Sequence, residues 1–265
     1  MTLAVLAVVA VLTSSGAGSH LYPVASGFSR KWSQLEGWIV RLLSNELETP
    51  TTRRVRLALE GTPFRYLPGQ SLSLAKGATE PTPYSIASAP CETSESGWLE
   101  LLVKVDGSSR FGAIVDRLQP GTDINVDGPS GNFTLDLDSR TTPLLFVAGG
   151  TGIAPLRSMI RQALHDQHHG KLALVYSARS PAEFAYASEL RELADAGRLA
   201  LTLTLTGDAE NWTHSRGRAG ARHLSAHINP ETMAFVCGPP PMVQELPAAL
   251  VSLGAAPERI RTEHW

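Results

Sequence analysis

Cysteine is scarce in this chain of 265 residues, which contains only Cys91 and Cys237. Two cysteines exclude a disulfide framework, and they exclude a four-cysteine iron–sulfur cluster held within the chain. Excess charge of one sign is also missing, since 23 basic and 25 acidic residues leave a formal net charge of -2. This balance gives no electrostatic reason to expect binding to nucleic acid or to an anionic membrane.

Hydrophobic runs of transmembrane length are absent as well. The longest apolar run covers residues 3–12, which are too few to cross a bilayer as a helix. This length suits the core of a signal peptide, and residues 14–19 offer small side chains for cleavage, yet no Lys or Arg precedes the run. We treat residues 1–36 as an N-terminal apolar segment and lead-in.

Short strand-like runs follow over residues 37–138. They alternate polar and apolar side chains or end at Gly and Pro turns, as in Arg54–Leu59, Leu99–Val105 and the Pro68–Gly69 turn. Short strands at this close spacing are typical of a small antiparallel β-barrel.

Longer apolar runs alternate with helical patterns over residues 139–265. Leu144–Ala148 and Leu172–Tyr176 are continuous apolar runs, as expected of strands buried on both faces of a parallel sheet. Helical segments follow them near 155–165 and 187–193. The pattern predicts a doubly wound α/β domain, with the boundary between the two domains in the polar stretch 136–142.

A glycine-rich turn joins the first of these strands to the first helix. It reads Gly149-Gly150-Thr151-Gly152, followed by Pro155 in the first turn of the helix. Such a turn lets a pyrophosphate approach the backbone closely, and the helix N-terminus offers free N–H groups to the anion. The glycine spacing differs from the common dinucleotide fingerprint, and glycines also occur in such turns for packing alone.

Five segments in a fixed order carry a resemblance to a known family. The chain from Trp38 to Trp265 resembles the ferredoxin–NADP reductase superfamily, in which a flavin-binding barrel is joined to a nicotinamide-nucleotide domain. These segments are Pro83-Tyr84-Ser85, Gly128-Pro129-Ser130-Gly131-Asn132-Phe133, the Gly149 turn, Cys237-Gly238-Pro239-Pro240-Pro241-Met242 and Glu263-His264-Trp265.

The resemblance implies an FAD site on the barrel. Tyr84 would stack on the flavin ring, and Ser85 would lie near the flavin N5. Ser109 corresponds to a phosphate-contacting serine, and Lys104 to a strand lysine near the nucleotide. The arginine that holds the flavin phosphate in the family is replaced by Thr82 here, and Arg110 is the candidate to supply the missing cation.

The resemblance also implies a nicotinamide site at the ends of the α/β strands. Cys237 would lie near the nicotinamide, followed by Gly238 and Pro239. Glu263 would be a terminal carboxylate that handles protons, and Trp265 would cover the other face of the flavin. The catalytic residues implied are thus Ser85, Cys237 and Glu263.

The loop after the second α/β strand indicates whether NADH or NADPH is the donor nucleotide. An acidic residue there would bind the ribose hydroxyls of NADH, whereas an arginine would accommodate the 2′-phosphate of NADPH. Ser177 and Arg179 follow this strand, and the loop contains no Asp. The sequence favours NADPH over NADH.

The function implied is that of an FAD-dependent NAD(P)H oxidoreductase. It would pass a hydride to FAD and then single electrons to a separate carrier protein such as ferredoxin, an oxygenase component or a haem protein. The alternatives are an electron-transfer subunit of a larger complex and a nucleotide sensor whose flavin site has decayed, which Thr82 favours.

The remaining expectations concern metals, carriers and location. We expect no metal site at His165, His168 and His169, and a charged strand face rather than a docking site at Arg53, Arg54 and Arg56. Because flavin is loaded in the cytoplasm, we expect the protein there. Export or membrane association through the N-terminal segment is the alternative.

Overall fold

The computed structural model describes residues 37–62, 64–107, 110–135 and 140–264, with the side chain of Arg110 outside the description. The expectations for residues 1–36, Ser109 and Trp265, and for part of the predicted domain boundary, lie outside these residues. Within the described ranges, no helix is both long and apolar enough to span a bilayer.

Six antiparallel strands form the first sheet, in the order β4-β3-β6-β1-β2-β5. A bridge between Ile86 and Leu101 joins the segment after the fourth strand to the fifth, so the sheet curls toward closure. The elements are β1 (Trp38–Thr49), β2 (Thr52–Ala58), β3 (Ser71–Ala75), β4 (Thr82–Ser85), α1 (Pro90–Ser96), β5 (Trp98–Lys104), α2 (Arg110–Val115) and β6 (Asp123–Ser130).

Alternation along these strands explains the barrel core. Val40 and Leu42 of β1 are buried, whereas Ile39, the strand residue directly before Val40, is 71% exposed. Successive strand residues point to opposite faces, so every second apolar side chain reaches the interior. The predicted antiparallel barrel is confirmed.

Six parallel strands form the second sheet, in the order β10-β9-β8-β7-β11-β12. Chain order reverses between β7 and β11, and this is the switch point where open α/β sheets bind ligands. The elements are β7 (Leu144–Gly149), α3 (Ile153–His165), β8 (Leu172–Ala178), α4 (Ala187–Asp195), β9 (Ala200–Leu205), β10 (Ser215–Arg216), α5 (Ala221–Leu224), β11 (Met233–Gly238), α6 (Pro240–Ser252) and β12 (Ile260–His264).

The continuous apolar runs are buried for the predicted reason. Every residue of β7 and β8 is buried, because helices cover both faces of the sheet. The doubly wound parallel fold is confirmed, and the short strand β12, which the apolar patterns did not reveal, forms its edge.

The two sheets share one hydrophobic cluster. Phe133 and Leu135, which follow the last barrel strand, are buried against residues of the parallel sheet. The ring of Phe133 meets that of Phe235 edge-on, with 5.8 Å between ring centroids. This packing brings β4 of the barrel next to the carboxyl ends of β7 and β11.

Candidate functional site

The glycine turn lies at the switch point of the parallel sheet. Strand β7 ends at Gly149, residues 150–152 form a single 3-10 turn, and α3 begins at Ile153. A side chain on Gly152 would collide with the carbonyl of Cys237, and a Cβ on Gly149 would lie 2.9 Å from Pro239 Cδ. The absence of side chains therefore lets the turn lie directly against the end of β11, with the α3 N-terminus beside it.

A cleft of about 390 Å³ opens beside this turn, between the two domains. Its volume falls in the range of sites that hold small molecules. The residues predicted from sequence that line it are Lys104, Gly149, Gly150, Thr151, Ser177, Arg179 and Pro239. The structure thus brings one barrel residue together with three segments of the α/β domain, while Gly152 and Gly238 pack against the backbone behind it.

Most charges in the cleft are paired. The Lys104 ammonium lies 2.9 Å from Asp106, and Arg218 lies 3.3 Å from Glu245. Among the described residues, the Arg179 guanidinium has no carboxylate within ion-pair distance. Arg179 is therefore the cation in this cleft best placed to meet a phosphate.

Sequence reasoning missed Glu183 in this cleft. Its carboxylate accepts a hydrogen bond from the backbone N–H of Arg179 over 3.3 Å and lines the same cavity. Because it lies four residues beyond Arg179, inspection of the loop directly after β8 did not reveal it. It places a negative charge close to the predicted phosphate position.

Tyr176 is a second residue of the site that the sequence did not reveal, because the sequence pattern assigned it only to a buried strand. Its buried hydroxyl donates to the carbonyl of Gly150 over 3.0 Å and accepts from the N–H of Ala185 over 3.2 Å. Burial raises the pKa of this hydroxyl, so it stays protonated and able to donate. Tyr176 thereby fixes the glycine turn to the segment that follows β8.

The three predicted catalytic residues lie together where the two domains meet. Ser85 Oγ, on β4, donates to Glu263 Oε2, on β12, over 3.4 Å. Cys237 pairs with Glu263 across β11 and β12, and with Ala148 across β11 and β7. A hydroxyl, a thiol and a carboxyl group from distant parts of the sequence therefore lie in one cluster where the domains meet.

Burial changes the protonation of this group. It raises the pKa of Glu263 to about 7, although the hydrogen bond from Ser85 lowers it in part. Burial also raises the pKa of the Cys237 thiol, and the charge of Glu263 raises it further. The thiol is thus neutral near pH 7, whereas Glu263 can take up or release a proton there.

Tyr84 directly precedes Ser85 on β4 of the barrel. It is partly buried, and its ring packs at a tilt against that of Phe111, with centroids 6.0 Å apart. An aromatic ring and a hydroxyl therefore stand on consecutive residues at the end of β4, which suits a planar ring system. The residues present therefore fit the isoalloxazine part of a flavin.

Thr82 supplies no positive charge at the position where the family has an arginine for the flavin phosphate. The Thr82 hydroxyl donates to the carbonyl of Glu80 over 3.4 Å, so this position supplies no cation. Backbone placement puts Arg110 at the start of α2, which contributes Phe111 to the packing against Tyr84. Arg110 remains a prediction.

The three barrel arginines Arg53, Arg54 and Arg56 are each paired with a carboxylate. Arg53 binds Asp116, Arg54 binds Glu46, and Arg56 binds Glu100, with nitrogen–oxygen distances of 2.6, 2.6 and 2.8 Å. Their charge is thus balanced within the barrel. Across the described residues, no group of three His, Cys, Asp or Glu side chains is placed to hold a metal ion.

Family profiles match both halves of the chain. Residues 40–135 match the oxidoreductase FAD-binding domain, and residues 146–247 match the oxidoreductase NAD-binding domain. The two matches follow the division into an antiparallel barrel and a parallel sheet.

Several curated proteins are similar in sequence. Ferredoxin–NADP reductase B of Sorangium cellulosum is 32% identical over 217 residues, which cover 77% of this chain and 87% of that protein. Sulfhydrogenase 1 subunit gamma of Pyrococcus furiosus is 33% identical over 74% of this chain and 67% of its own length. The reductase component of propane 2-monooxygenase from Mycolicibacterium smegmatis is 32% identical, and the chain spans 64% of it.

Solved structures share the fold. The cytochrome P450 reductase of Amycolatopsis superposes with a TM-score of 0.77 at 25% identity, over 86% of this chain and 69% of that one. A ferredoxin–NADP reductase from Neisseria gonorrhoeae, solved with FAD and NADP, gives a TM-score of 0.74 at 22% identity over 87% and 97% of the two chains.

Proposed function

This chain belongs to the ferredoxin–NADP reductase superfamily, and we propose that it takes electrons preferentially from NADPH and delivers them singly to a separate carrier protein. It is an FAD-dependent NAD(P)H oxidoreductase. Relatives that are reductase components or ferredoxin reductases by name support an external acceptor. With only Cys91 and Cys237, the chain itself offers no four-cysteine cluster for the electrons.

One observation carries the proposal. The Ser85 hydroxyl of the barrel meets the Glu263 carboxyl group of the α/β domain at the carboxyl ends of β7 and β11. Parallel sheets bind nucleotides at this edge, and Tyr84 directly precedes Ser85 on β4. A flavin against Tyr84 and a nucleotide in the cleft would therefore approach each other here.

The cofactor supplies the redox chemistry. Bound FAD accepts a hydride from a nicotinamide and can release the electrons one at a time. In our proposal, Tyr84 and Trp265 cover the faces of the flavin, and Ser109 and Arg110 hold its phosphates. Ser85 orients the reacting edge through its hydroxyl.

The protein side of the proton handling rests on Glu263. Its pKa of about 7 lets the carboxyl group gain or lose a proton near neutral pH, and the Ser85 hydroxyl connects it to β4, where the flavin would bind. Cys237 stays neutral because it is buried, so it offers a polarisable, uncharged surface to the nicotinamide.

The nucleotide site follows the cleft. The Gly149, Gly150, Thr151 and Gly152 turn, with Gly238 and Pro239 opposite, would cradle the pyrophosphate against the N-terminus of α3. Lys104 would approach from the barrel. Ser177 and Arg179 would receive the 2′-phosphate of NADPH, which supports this donor, whereas Glu183 nearby would repel it and support NADH.

An anaerobic spectral titration tests the function. Purified protein loaded with FAD is mixed with NADPH or with NADH, and the flavin absorbance is followed before ferredoxin or ferricyanide is added. We expect rapid bleaching, faster with NADPH, and recovery of the colour on addition of the acceptor. Failure of both nucleotides to bleach bound flavin would contradict the proposal.

A second candidate function keeps the same chemistry within a larger complex. A relative that is 33% identical is a subunit gamma by name, which favours this possibility. It predicts weak acceptor reduction by the isolated chain and a stable association with partner chains. Size measurement of the native protein from its source cells distinguishes the two.

A cytoplasmic location completes the proposal, because FAD is loaded in that compartment. Cell fractionation with an antibody against the chain tests it. Recovery in an exported or membrane fraction would instead support a role for the N-terminal apolar segment.

A further inference from the structure

A buried arginine lies between the two domains, away from the cleft. Arg157, on the nucleotide-domain helix α3, is only 9% exposed. Its guanidinium lies over the ring of Tyr186, with 4.8 Å between the guanidinium carbon and the ring centroid. A buried guanidinium is costly unless its donors are satisfied, so its contacts need an explanation.

Three acceptors from both domains surround this guanidinium. Nη1 donates to the Glu92 carboxylate of barrel helix α1 over 3.0 Å and to the Ala87 carbonyl over 2.9 Å. Nε donates to Glu189 of α4 over 2.9 Å. The planar guanidinium group of Arg157 thus connects helix α1 of the barrel, helix α4 of the α/β domain and the segment that follows β4.

Charge balance holds this arrangement in place. Burial alone would lower the pKa of the Arg157 guanidinium, but the carboxylates of Glu189 and Glu92 raise it above its usual value. Arg161, one turn further along α3, also binds Glu92 over 2.8 Å. Two cations therefore face two carboxylates, and Arg157 remains charged throughout the pH range of activity.

The contact with Ala87 links the two halves of the proposed reaction site. Ala87 lies two residues after Ser85, and the next residue, Ser88, accepts a hydrogen bond through its carbonyl from Ser158 Oγ over 2.7 Å. On the other side, α3 carries Arg157 and Ser158 and begins directly after the glycine turn. One helix thus holds the flavin-side backbone and the nucleotide-side turn.

From these contacts we infer that Arg157 is a positioning residue that sets the approach of the nicotinamide to the flavin. The inference rests on the proposed function. Removal of the Arg157 guanidinium would leave Ser158 as the remaining hydrogen bond from α3 to the Ser85–Ser88 segment, and would let the two domains shift against each other. Because hydride transfer depends steeply on donor–acceptor distance, such a shift would slow the reductive step without removing either cofactor.

Replacement of Arg157 by lysine keeps the positive charge and removes the planar set of hydrogen-bond donors. Arg157→Lys cannot donate to Glu92, Glu189 and Ala87 with one planar group. Arg161→Met is the matched control, since Arg161 lies on the same helix and binds the same Glu92 without contacting the flavin-side segment. Both FAD-loaded variants are compared with the wild type in anaerobic stopped-flow reduction by NADPH and NADH, with deuterated nucleotide to report the hydride step.

The expected result separates positioning from general stability. Arg157→Lys should slow reduction about 10- to 100-fold, with a larger deuterium isotope effect and a weaker long-wavelength charge-transfer band. Its FAD affinity and its reoxidation by ferricyanide, which needs no nicotinamide, should stay within about twofold of wild type. Arg161→Met should reduce the rate less than about threefold.

Several outcomes would overturn the inference. A wild-type hydride rate in Arg157→Lys, or an equal loss in reduction and reoxidation, would leave Arg157 with a structural role only. If Arg157→Lys does not fold, Ser158→Ala and Glu189→Gln serve instead, and loss of FAD in all three variants would also contradict it. If the wild type itself is not reduced by either nucleotide, the proposed function has failed instead.

Discussion

The Ser85 hydroxyl on barrel strand β4 donates a hydrogen bond to Glu263 on β12, 178 residues further along the chain. This contact joins β4, the strand that carries Tyr84 and Ser85 of the proposed flavin site, to the last strand of the nucleotide domain. Its acceptor is a carboxyl group whose pKa burial raises to about 7. The pair is therefore sensitive to pH in the range where the enzyme is expected to work.

Replacement of Glu263 should change how stability depends on pH. The usual pKa of 4.5 in the unfolded chain rises to about 7 in the fold, so the folded state holds the proton more tightly. Stability therefore falls as pH rises from about 4.5 to about 7, and the full loss is present above 7, where the buried group is charged. In protein freed of flavin, Glu263→Gln should exceed wild type by about 1–2 kcal/mol at pH 8.5, after allowance for partial exposure.

Denaturant unfolding at several pH values measures this effect. The advantage of Glu263→Gln should shrink as the pH is lowered toward 4.5. Ser85→Ala is the companion variant, because loss of its hydrogen bond should raise the pKa of Glu263 further. A difference between Glu263→Gln and wild type that is independent of pH would contradict the assignment.

Gly152→Ala should disrupt the glycine turn through a steric collision and not through backbone strain. Gly152 has φ -59°, which alanine adopts readily, but its Cβ would collide with the Cys237 carbonyl. We expect a loss of about 2–4 kcal/mol in stability, or a large loss of nucleotide affinity if the backbone yields. Gly220→Ala is the control, since its nearest neighbour would be the Arg218 carbonyl at 3.8 Å.

Thermal unfolding and nucleotide titration of both variants measure these losses. Gly220→Ala should stay within about 0.5 kcal/mol of wild type, because its extended backbone and open surroundings accept a methyl group. Equal effects at the two positions would show that close packing against β11 is not what requires Gly152.

Arg179→Ala should alter the choice of nucleotide. The Arg179 guanidinium has no carboxylate partner among the residues that the structure describes. Its loss should remove a charged hydrogen bond to a 2′-phosphate, lowering kcat/KM for NADPH about 10- to 100-fold and leaving NADH nearly unchanged. Steady-state reduction of ferricyanide with both nucleotides measures the ratio. Glu183→Gln should shift the ratio toward NADPH, and a parallel fall with both nucleotides in Arg179→Ala would argue against phosphate recognition.

Thr82→Arg should strengthen FAD binding. The present hydroxyl donates to the Glu80 carbonyl and supplies no charge, whereas a guanidinium can bind phosphate through two parallel hydrogen bonds. We expect FAD affinity to rise about tenfold, measured by flavin fluorescence, while riboflavin affinity stays unchanged. Arg110→Ala should weaken FAD binding if Arg110 supplies the cation, and unchanged affinity would remove it from the site.

Local patterns in the sequence were sufficient to predict both sheets, and they supply several proposed site residues. Alternation in β2 indicated a half-buried strand of an antiparallel barrel, and the unbroken apolar residues of β7 indicated a strand covered on both faces. Gly149 and Gly152 stood out because a tight turn before a helix demands small residues. These signals are local, since each follows from the period of a strand or from the conformational freedom of a residue.

Only the tertiary structure decided which distant residues meet. Glu183 enters the cleft, Tyr176 secures Gly150, and Arg157 holds Ala87 because packing of the two domains brings separate segments together. The raised pKa of Glu263 likewise depends on burial that no local pattern records. The strand and helix periods thus follow from neighbours in sequence, whereas contacts and protonation depend on neighbours in space.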